Sequence, residues 1–103
     1  MAKYKITWAH EARLDLYSIL EFYYKRNGNV TYSSKLNSRI HKSVSLLSKN
    51  PLLRVQSDYE SVRVLIIDEF QVIYEVFNQL ILIIMVWDSR RNPEDRAIDK
   101  RIK

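Results

Sequence analysis

The sequence predicts an α+β domain in which an N-terminal strand and a helical hairpin pack on one face of a curved, mostly antiparallel sheet. Apolar residues alternate with polar ones near the N-terminus, recur at helical spacing through the first half and form short β-branched runs in the second. The chain has 103 residues, 47% of them hydrophobic, so it is long enough to bury one core without disulfides. We therefore expect a single domain over residues 1–103 with the element order β-α-α-β-β-β.

The first half is predicted to hold one strand and two helices. Residues 3–8 alternate in polarity, which predicts a short strand. Residues 10–26 carry an apolar stripe at helical spacing, with acidic residues in the first turns and basic residues in the last, as the helix dipole favours. Gly28, the only glycine, is expected to end this helix with a positive φ. Residues 31–49 repeat the helical spacing and stop before Pro51, so the two helices form an antiparallel hairpin.

The second half is predicted to supply the sheet. Residues 53–56 are a candidate short strand, and residues 62–67 and 70–77 are β-branched or aromatic runs separated by two acidic residues. Residues 80–87 are apolar throughout, which predicts a central strand that is buried on both faces. Residues 96–103 are predicted to form a short helix or to fray.

Composition excludes several classes of function. The absence of cysteine excludes disulfide scaffolds and thiolate chemistry, and one glycine is too few for a glycine-rich phosphate loop. His10 is predicted to belong to a helix cap or to lie at the surface, and His41 is predicted to lie at the surface. We expect no metal and no cofactor. The longest apolar run has eight residues, against the ~20 that a membrane span needs, and no signal peptide is evident. We therefore expect a cytoplasmic protein.

The net charge of +5 is concentrated in one part of the chain. Residues 22–57 contain seven basic and no acidic residues, whereas residues 58–87 carry a net charge of −4. Within the basic block, Lys35, Arg39 and Lys42 share one face of the second predicted helix, and we call these three residues the basic ridge. Such a field steers an anionic partner, either nucleic acid or an acidic protein, although a merely solvated helix face is the alternative.

Four residues of the second half are candidates for chemistry. Arg90 and Arg91 follow the predicted central strand, and paired guanidinium groups at a strand end can hold a phosphate or a carboxylate. The structural alternative for these arginines is a salt bridge to Asp88 or Glu94. Arg63, inside an apolar strand, needs a partner or a solvent-facing position, and Tyr74 is most simply a core aromatic residue.

Four segments carry a family resemblance, and they occur in the family's order. Lys5-Ile6-Thr7-Trp8-Ala9 with the following helix start, Val62-Arg63-Val64-Leu65-Ile66, Phe70-Gln71-Val72-Ile73-Tyr74-Glu75-Val76, and Val86-Trp87-Asp88-Ser89-Arg90-Arg91-Asn92-Pro93-Glu94 resemble the motifs of RelE/ParE superfamily toxins from bacterial type II toxin–antitoxin modules. The resemblance covers almost the whole chain. It implies a βααβββ fold and neutralisation by a cognate antitoxin, typically an acidic segment that folds on binding.

The superfamily has two branches, and the resemblance favours one of them. RelE-like members are ribosome-dependent mRNA endoribonucleases, whereas ParE-like members inhibit DNA gyrase. The ribonuclease branch usually has an arginine where this chain has Gln71 and a histidine where it has Asp88, and only Arg90 matches its ending. We therefore expect a ParE-like toxin whose binding residues are the basic ridge and Arg91.

Two other readings remain open. In a RelE-like ribonuclease, Arg90, Arg63 and Tyr74 would carry catalysis. In a non-toxic binding module with the same fold, the basic ridge would dock an acidic protein or a nucleic acid.

Overall fold

A computed structural model describes residues 4–50, 55–56 and 61–102 of the chain. The strands and α-helices are β1 (Lys5–Trp8), α1 (His10–Asn27), α2 (Thr31–Ser45), β2 (Val55–Gln56), β3 (Val62–Ile67), β4 (Phe70–Phe77) and β5 (Leu80–Asp88). Short 3₁₀ helices span Leu46–Ser48, Pro93–Arg96 and Ile98–Lys100. The predicted α+β class and element order are confirmed.

The five strands form one sheet in the order β1-β5-β4-β3-β2. β1 runs parallel to β5, with Lys5 opposite Leu80 and Trp8 opposite Ile83, and the other neighbours are antiparallel. The long connection that a parallel pair requires consists here of the two helices and the other three strands, which lie between β1 and β5 in the chain. Because β1 ends at Trp8, residues 84–88 of β5 have no strand beside them on that side within the part of the chain that the structure describes.

Both faces of the sheet are covered. On the first face, buried residues of α1 and α2 such as Leu16, Leu36 and Ile40 pack against the sheet. On the second face, the C-terminal segment packs Ile98 and Ile102 against the sheet. The sheet residues of this smaller core are Val62, Val64, Ile73, Ile84, Met85 and Trp87, with Leu82 at its margin. The prediction that β5 is buried on both faces is confirmed, and β5 is a central strand over residues 80–83, where β1 and β4 flank it.

Most predicted boundaries lie within a residue or two of the observed ones. β3 and β4 have the predicted bounds, and α1 and β5 are each one residue longer at the C-terminal end. Gly28 has a φ of 72° and donates its N–H to the carbonyl oxygen of Tyr24, as expected for a residue that ends a helix. The predicted second helix is divided into α2 and a 3₁₀ turn, and the last residues form two 3₁₀ turns.

Parts of three predicted elements lie outside the described residues. These parts are residue 3 of the predicted first strand, residues 53–54 of the candidate short strand and residue 103 at the C-terminus. Tyr4 is described but precedes β1, which begins at Lys5. The short strand is observed at Val55–Gln56, where it pairs with β3.

Candidate functional site

The carboxylate of Asp88 holds Arg90 at the C-terminal end of β5. Oδ1 of Asp88 accepts hydrogen bonds from the backbone N–H and the Nε of Arg90, both at 3.0 Å. Oδ2 of Asp88 accepts a third bond from Nη2 of Arg90 at 2.8 Å. This two-pronged contact is the strong geometry for an arginine and a carboxylate. The salt bridge to Asp88 that was the structural alternative for Arg90 is therefore confirmed.

Two aromatic rings complete the environment of Arg90. Its Nη2 also donates to the hydroxyl of Tyr23, a buried residue of α1. The guanidinium carbon lies 5.9 Å from the ring centroids of both Tyr23 and Phe70, within the range of a cation–π contact. The two rings meet edge to face with centroids 6.3 Å apart. We call Tyr23, Phe70, Asp88 and Arg90 the Arg90 cluster, and it ties the end of the sheet to α1.

Asp88 and Arg90 stabilise each other's charged forms. The hydrogen bond from Arg90 lowers the pKa of the Asp88 carboxyl, although partial burial acts in the opposite direction. Asp88 and then Tyr23 raise the pKa of Arg90. Both groups are therefore charged at neutral pH, and each is the main partner of the other.

A cleft of about 370 Å³ lies beside the Arg90 cluster, between α1 and the end of β5. Ile19, Phe22 and Val86 contribute apolar surface to it, and Asp15 and Arg91 contribute charge. The guanidinium carbon of Arg91 lies 4.5 Å from the ring centroid of Trp87, so its guanidinium group stacks on that ring while the residue stays exposed. The cleft can hold an apolar side chain of a partner between two opposite charges.

The basic ridge lies on α2, away from that cleft. Lys35, Arg39 and Lys42 are all exposed. Arg39 forms an ion pair with Asp68 in the turn between β3 and β4. Within the described part of the chain, Lys35 and Lys42 form no ion pair, so two of the three ridge cations face solvent.

Arg63 and Tyr74 lie opposite each other on β3 and β4, but the structure does not bring them to Arg90. Tyr74 is fully buried, which confirms that it is a core aromatic residue, and Arg63 is half-buried. Tyr74 stands four residues along β4 from Phe70, which pairs with Asp88. At the strand rise of ~3.3 Å per residue, Tyr74 and Arg63 lie ~13 Å along the sheet from the end of β5.

Sequence reasoning missed three arginine contacts that involve distant parts of the chain. The helical pattern of residues 10–26 gave no sign that the hydroxyl of Tyr23 contacts Arg90. Arg96 donates to the side-chain oxygen of Gln71, the position where the ribonuclease branch usually has an arginine. Arg101 pairs with Asp15 of α1. The sequence signalled only that each arginine needs a polar partner, and it did not indicate which residue that partner is.

The remaining sequence predictions concern aromatic residues, histidines and metals. Trp87 is buried, as predicted for the strand over residues 80–87, whereas Trp8 is half-buried with its ring centroid 5.1 Å from that of His41. His10 and His41 are exposed, as predicted.

Among the described residues, no three His, Asp or Glu side chains are grouped so that they could hold a metal ion. No helix in the described ranges is both long and apolar enough to cross a membrane.

Chains from solved toxin–antitoxin structures share this fold. A chain from the chromosomal ParDE toxin–antitoxin system of P. aeruginosa superposes with a TM-score of 0.72 at 23% identity, covering 82% of this chain and 94% of that one. A chain from the RelBE2 toxin–antitoxin complex of Mycobacterium tuberculosis gives a TM-score of 0.60 at 15% identity, covering 85% and 93%. At these identities the likeness shows the fold alone.

The family follows from the sequence. The family model for the ParE toxin of the type II toxin–antitoxin system parDE matches residues 6–93, and the chain therefore belongs to the ParE toxin family. No curated protein matches the sequence. The superfamily resemblance of the four sequence segments is confirmed.

Proposed function

We propose that this ParE-family toxin arrests growth by binding DNA gyrase in the cytoplasm, without cleaving RNA, and that a cognate antitoxin neutralises it. The observation that carries the proposal is the pairing of Arg90 with Asp88. Cleavage of RNA by its own 2′-hydroxyl needs a cation for the phosphorane and a group that transfers protons. In this chain the one arginine that matches the ribonuclease ending already has a carboxylate partner.

The burial of Tyr74 supports the same conclusion. Its side chain is fully buried in the core between the helices and the sheet, so its hydroxyl is not presented to a macromolecular substrate. Arg63 lies beside it on the next strand, about 13 Å along the sheet from the end of β5. A set of three catalytic residues spread in this way does not surround one phosphate.

The basic ridge supports an acidic antitoxin as the partner. Lys35 and Lys42 point into solvent from a stretch of chain without a single acidic residue. The resulting field favours an anionic polypeptide and speeds its association. Arg91, which borders the cleft beside the Arg90 cluster, gives the antitoxin a second cationic contact.

One observation favours a second candidate function, that of a RelE-like ribosome-dependent ribonuclease. The guanidinium of Arg96 contacts Gln71, so a cation reaches the position that the ribonuclease branch fills with an arginine of its own. In that case Arg96 would join Arg90 in holding the phosphate.

Expression without the antitoxin distinguishes these functions in cells. We expect growth to stop, plasmid supercoiling to fall and messenger RNA to remain intact when its ends are mapped by primer extension. Messages cut at defined positions on ribosomes, with cutting lost in Arg90→Ala, would establish the ribonuclease instead. Normal growth and normal supercoiling at high expression would support the non-toxic binding module and contradict the proposal.

A further inference from the structure

The strand β5 is longer than the strand that pairs with it on one side. β1 ends at Trp8, opposite Ile83, and the backbone N–H of Ala9 makes the next bond, to the carbonyl oxygen of Ile83 at 2.8 Å. Beyond that point residues 84–88 form an open edge, which no strand of the described chain covers. An open edge presents backbone donors and acceptors that can pair with another chain.

Two side chains occupy this open edge in place of a strand. The backbone N–H of Val86 donates to Oδ2 of Asp15 at 3.0 Å. Nη1 of Arg101 donates to the carbonyl oxygen of Ile84, also at 3.0 Å. Asp15 thus acts as an acceptor and Arg101 as a donor, which are the two roles that a neighbouring strand would play.

The same two side chains are bound to each other. Nη1 of Arg101 lies 2.5 Å from Oδ2 of Asp15, and Nη2 lies 3.2 Å from Oδ1. The Arg101 and Asp15 side chains are 22% and 20% exposed, against 73% and 67% for the exposed pair of Lys25 and Glu21. This partial shielding makes the Asp15–Arg101 pair the more strongly held of the two.

The C-terminal segment positions Arg101 for these contacts. Ile98 and Ile102 pack into the core on the second face of the sheet, one on each side of Arg101 in the sequence. A second acid of α1, Glu11, lies 3.6 Å from Nε of Arg101. The segment therefore crosses the second face and reaches α1 at the open edge.

We infer that Asp15 and Arg101 form a latch that closes the open edge of β5 against pairing with a second copy of this chain. The residues behind the latch, Ile84-Met85-Val86-Trp87, are apolar and typical of a segment that pairs readily. Natural sheets protect such edges with charged side chains, and here an ion pair contacts the backbone itself.

A second copy is the occupant that this surface fits. Antiparallel pairing about a two-fold axis at Val86 would join the same five residues of both chains, and such an interface is complementary to itself. Phe22 of α1 lines the cleft beside Val86 and is 56% exposed. In such a dimer the two Phe22 rings would lie on the same side of the extended sheet, near the axis.

Opening the latch by substitution tests the inference. Arg101→Met keeps an apolar side chain of similar length but removes the ion pair with Asp15. We therefore expect the dissociation constant of the dimer to fall about tenfold or more below that of the wild type. Lys25→Met is the matched control, since it removes the same charge from an exposed ion pair. Sedimentation equilibrium measures the dimer, and NMR hydrogen exchange measures the protection of the Val86 amide at low concentration, where we expect faster exchange.

Two outcomes would overturn the inference. One is a dimerisation constant for Arg101→Met equal to that of Lys25→Met, and the other is faster exchange at Val86 without stronger association. Should Arg101→Met fail to fold, Arg101→Lys replaces it, because a lysine cannot donate to Asp15 and Ile84 with the same fork. We expect the lysine variant to dimerise more strongly than wild type, and wild-type behaviour would count against the latch.

Discussion

The two cationic regions of the molecule use their charge in opposite ways. At the end of β5, Arg90 is bound by Asp88 and Tyr23, and Arg91 is stacked on Trp87. On α2, Lys35 and Lys42 have no ion-pair partner among the described residues. Arg90 therefore ties the end of the sheet to α1, whereas the charges of Lys35 and Lys42 are open to solvent and, in the proposed function, available to a partner. The position of a cation in a family motif is thus a weaker guide to function than whether neighbouring side chains already bind that cation.

The largest effect is expected from removing the aromatic support of the Arg90 cluster. Tyr23→Ala should lower the free energy of unfolding by about 3–5 kcal/mol, since a buried aromatic side chain is lost. Tyr24→Ala is the control, because Tyr24 is the next residue but is 49% exposed, and it should change stability little. Urea denaturation measures both. Equal losses would contradict the structural role given to the cluster.

A smaller effect is expected at the basic ridge, and it should appear in binding instead of stability. Lys35→Glu with Lys42→Glu should weaken binding of the cognate antitoxin by roughly ten- to hundredfold at low salt, because both exposed charges are reversed. The double variant Lys5→Glu with Lys100→Glu makes the same change in net charge at exposed residues outside the ridge. Titration calorimetry at two salt concentrations compares them, and equal affinities would remove the ridge from the interface.

The smallest effect is expected in the acid dependence of stability. Arg90 lowers the pKa of Asp88 in the folded protein below the value of about 3.9 for a free aspartate. The pair therefore stabilises the protein above that pH, and the stabilisation is lost as the pH falls through the lowered value. We expect the melting temperature of Asp88→Asn to lie several degrees below that of wild type at neutral pH.

The melting temperatures at acid pH show whether the ion pair itself is responsible for this difference. The difference between Asp88→Asn and wild type should shrink as the pH falls below about 4. Asp68→Asn, which breaks the exposed pair with Arg39, should show a smaller difference throughout. A difference for Asp88→Asn that stays constant with pH would mean that the ion pair contributes nothing measurable.

Local patterns in the sequence predicted the elements, whereas contacts between side chains far apart in the chain escaped prediction. The β-branched runs predicted the bounds of β3 and β4 correctly, because the pattern of apolar residues that marks a strand extends over only a few neighbouring residues. The pairs Arg90–Tyr23 and Arg101–Asp15 join residues 67 and 86 positions apart. Such contacts depend on how α1 crosses the sheet, and no local rule contains that information.

The candidate site was predictable in part for the same reason. Asp88 lies two residues before Arg90, so their pairing could be considered from the sequence alone. The burial of Tyr74 followed from its place in an apolar strand. The cleft was not predictable, since it exists only where α1 and the end of β5 meet.

Inhibition of purified DNA gyrase tests the central claim most directly. Added to a supercoiling reaction, the protein should inhibit gyrase in proportion to its concentration, and the cognate antitoxin should reverse the inhibition at equimolar amounts. The same preparation should leave ribosome-bound message uncut. Unimpaired supercoiling together with cleavage of the message would contradict the claim that this toxin acts by binding.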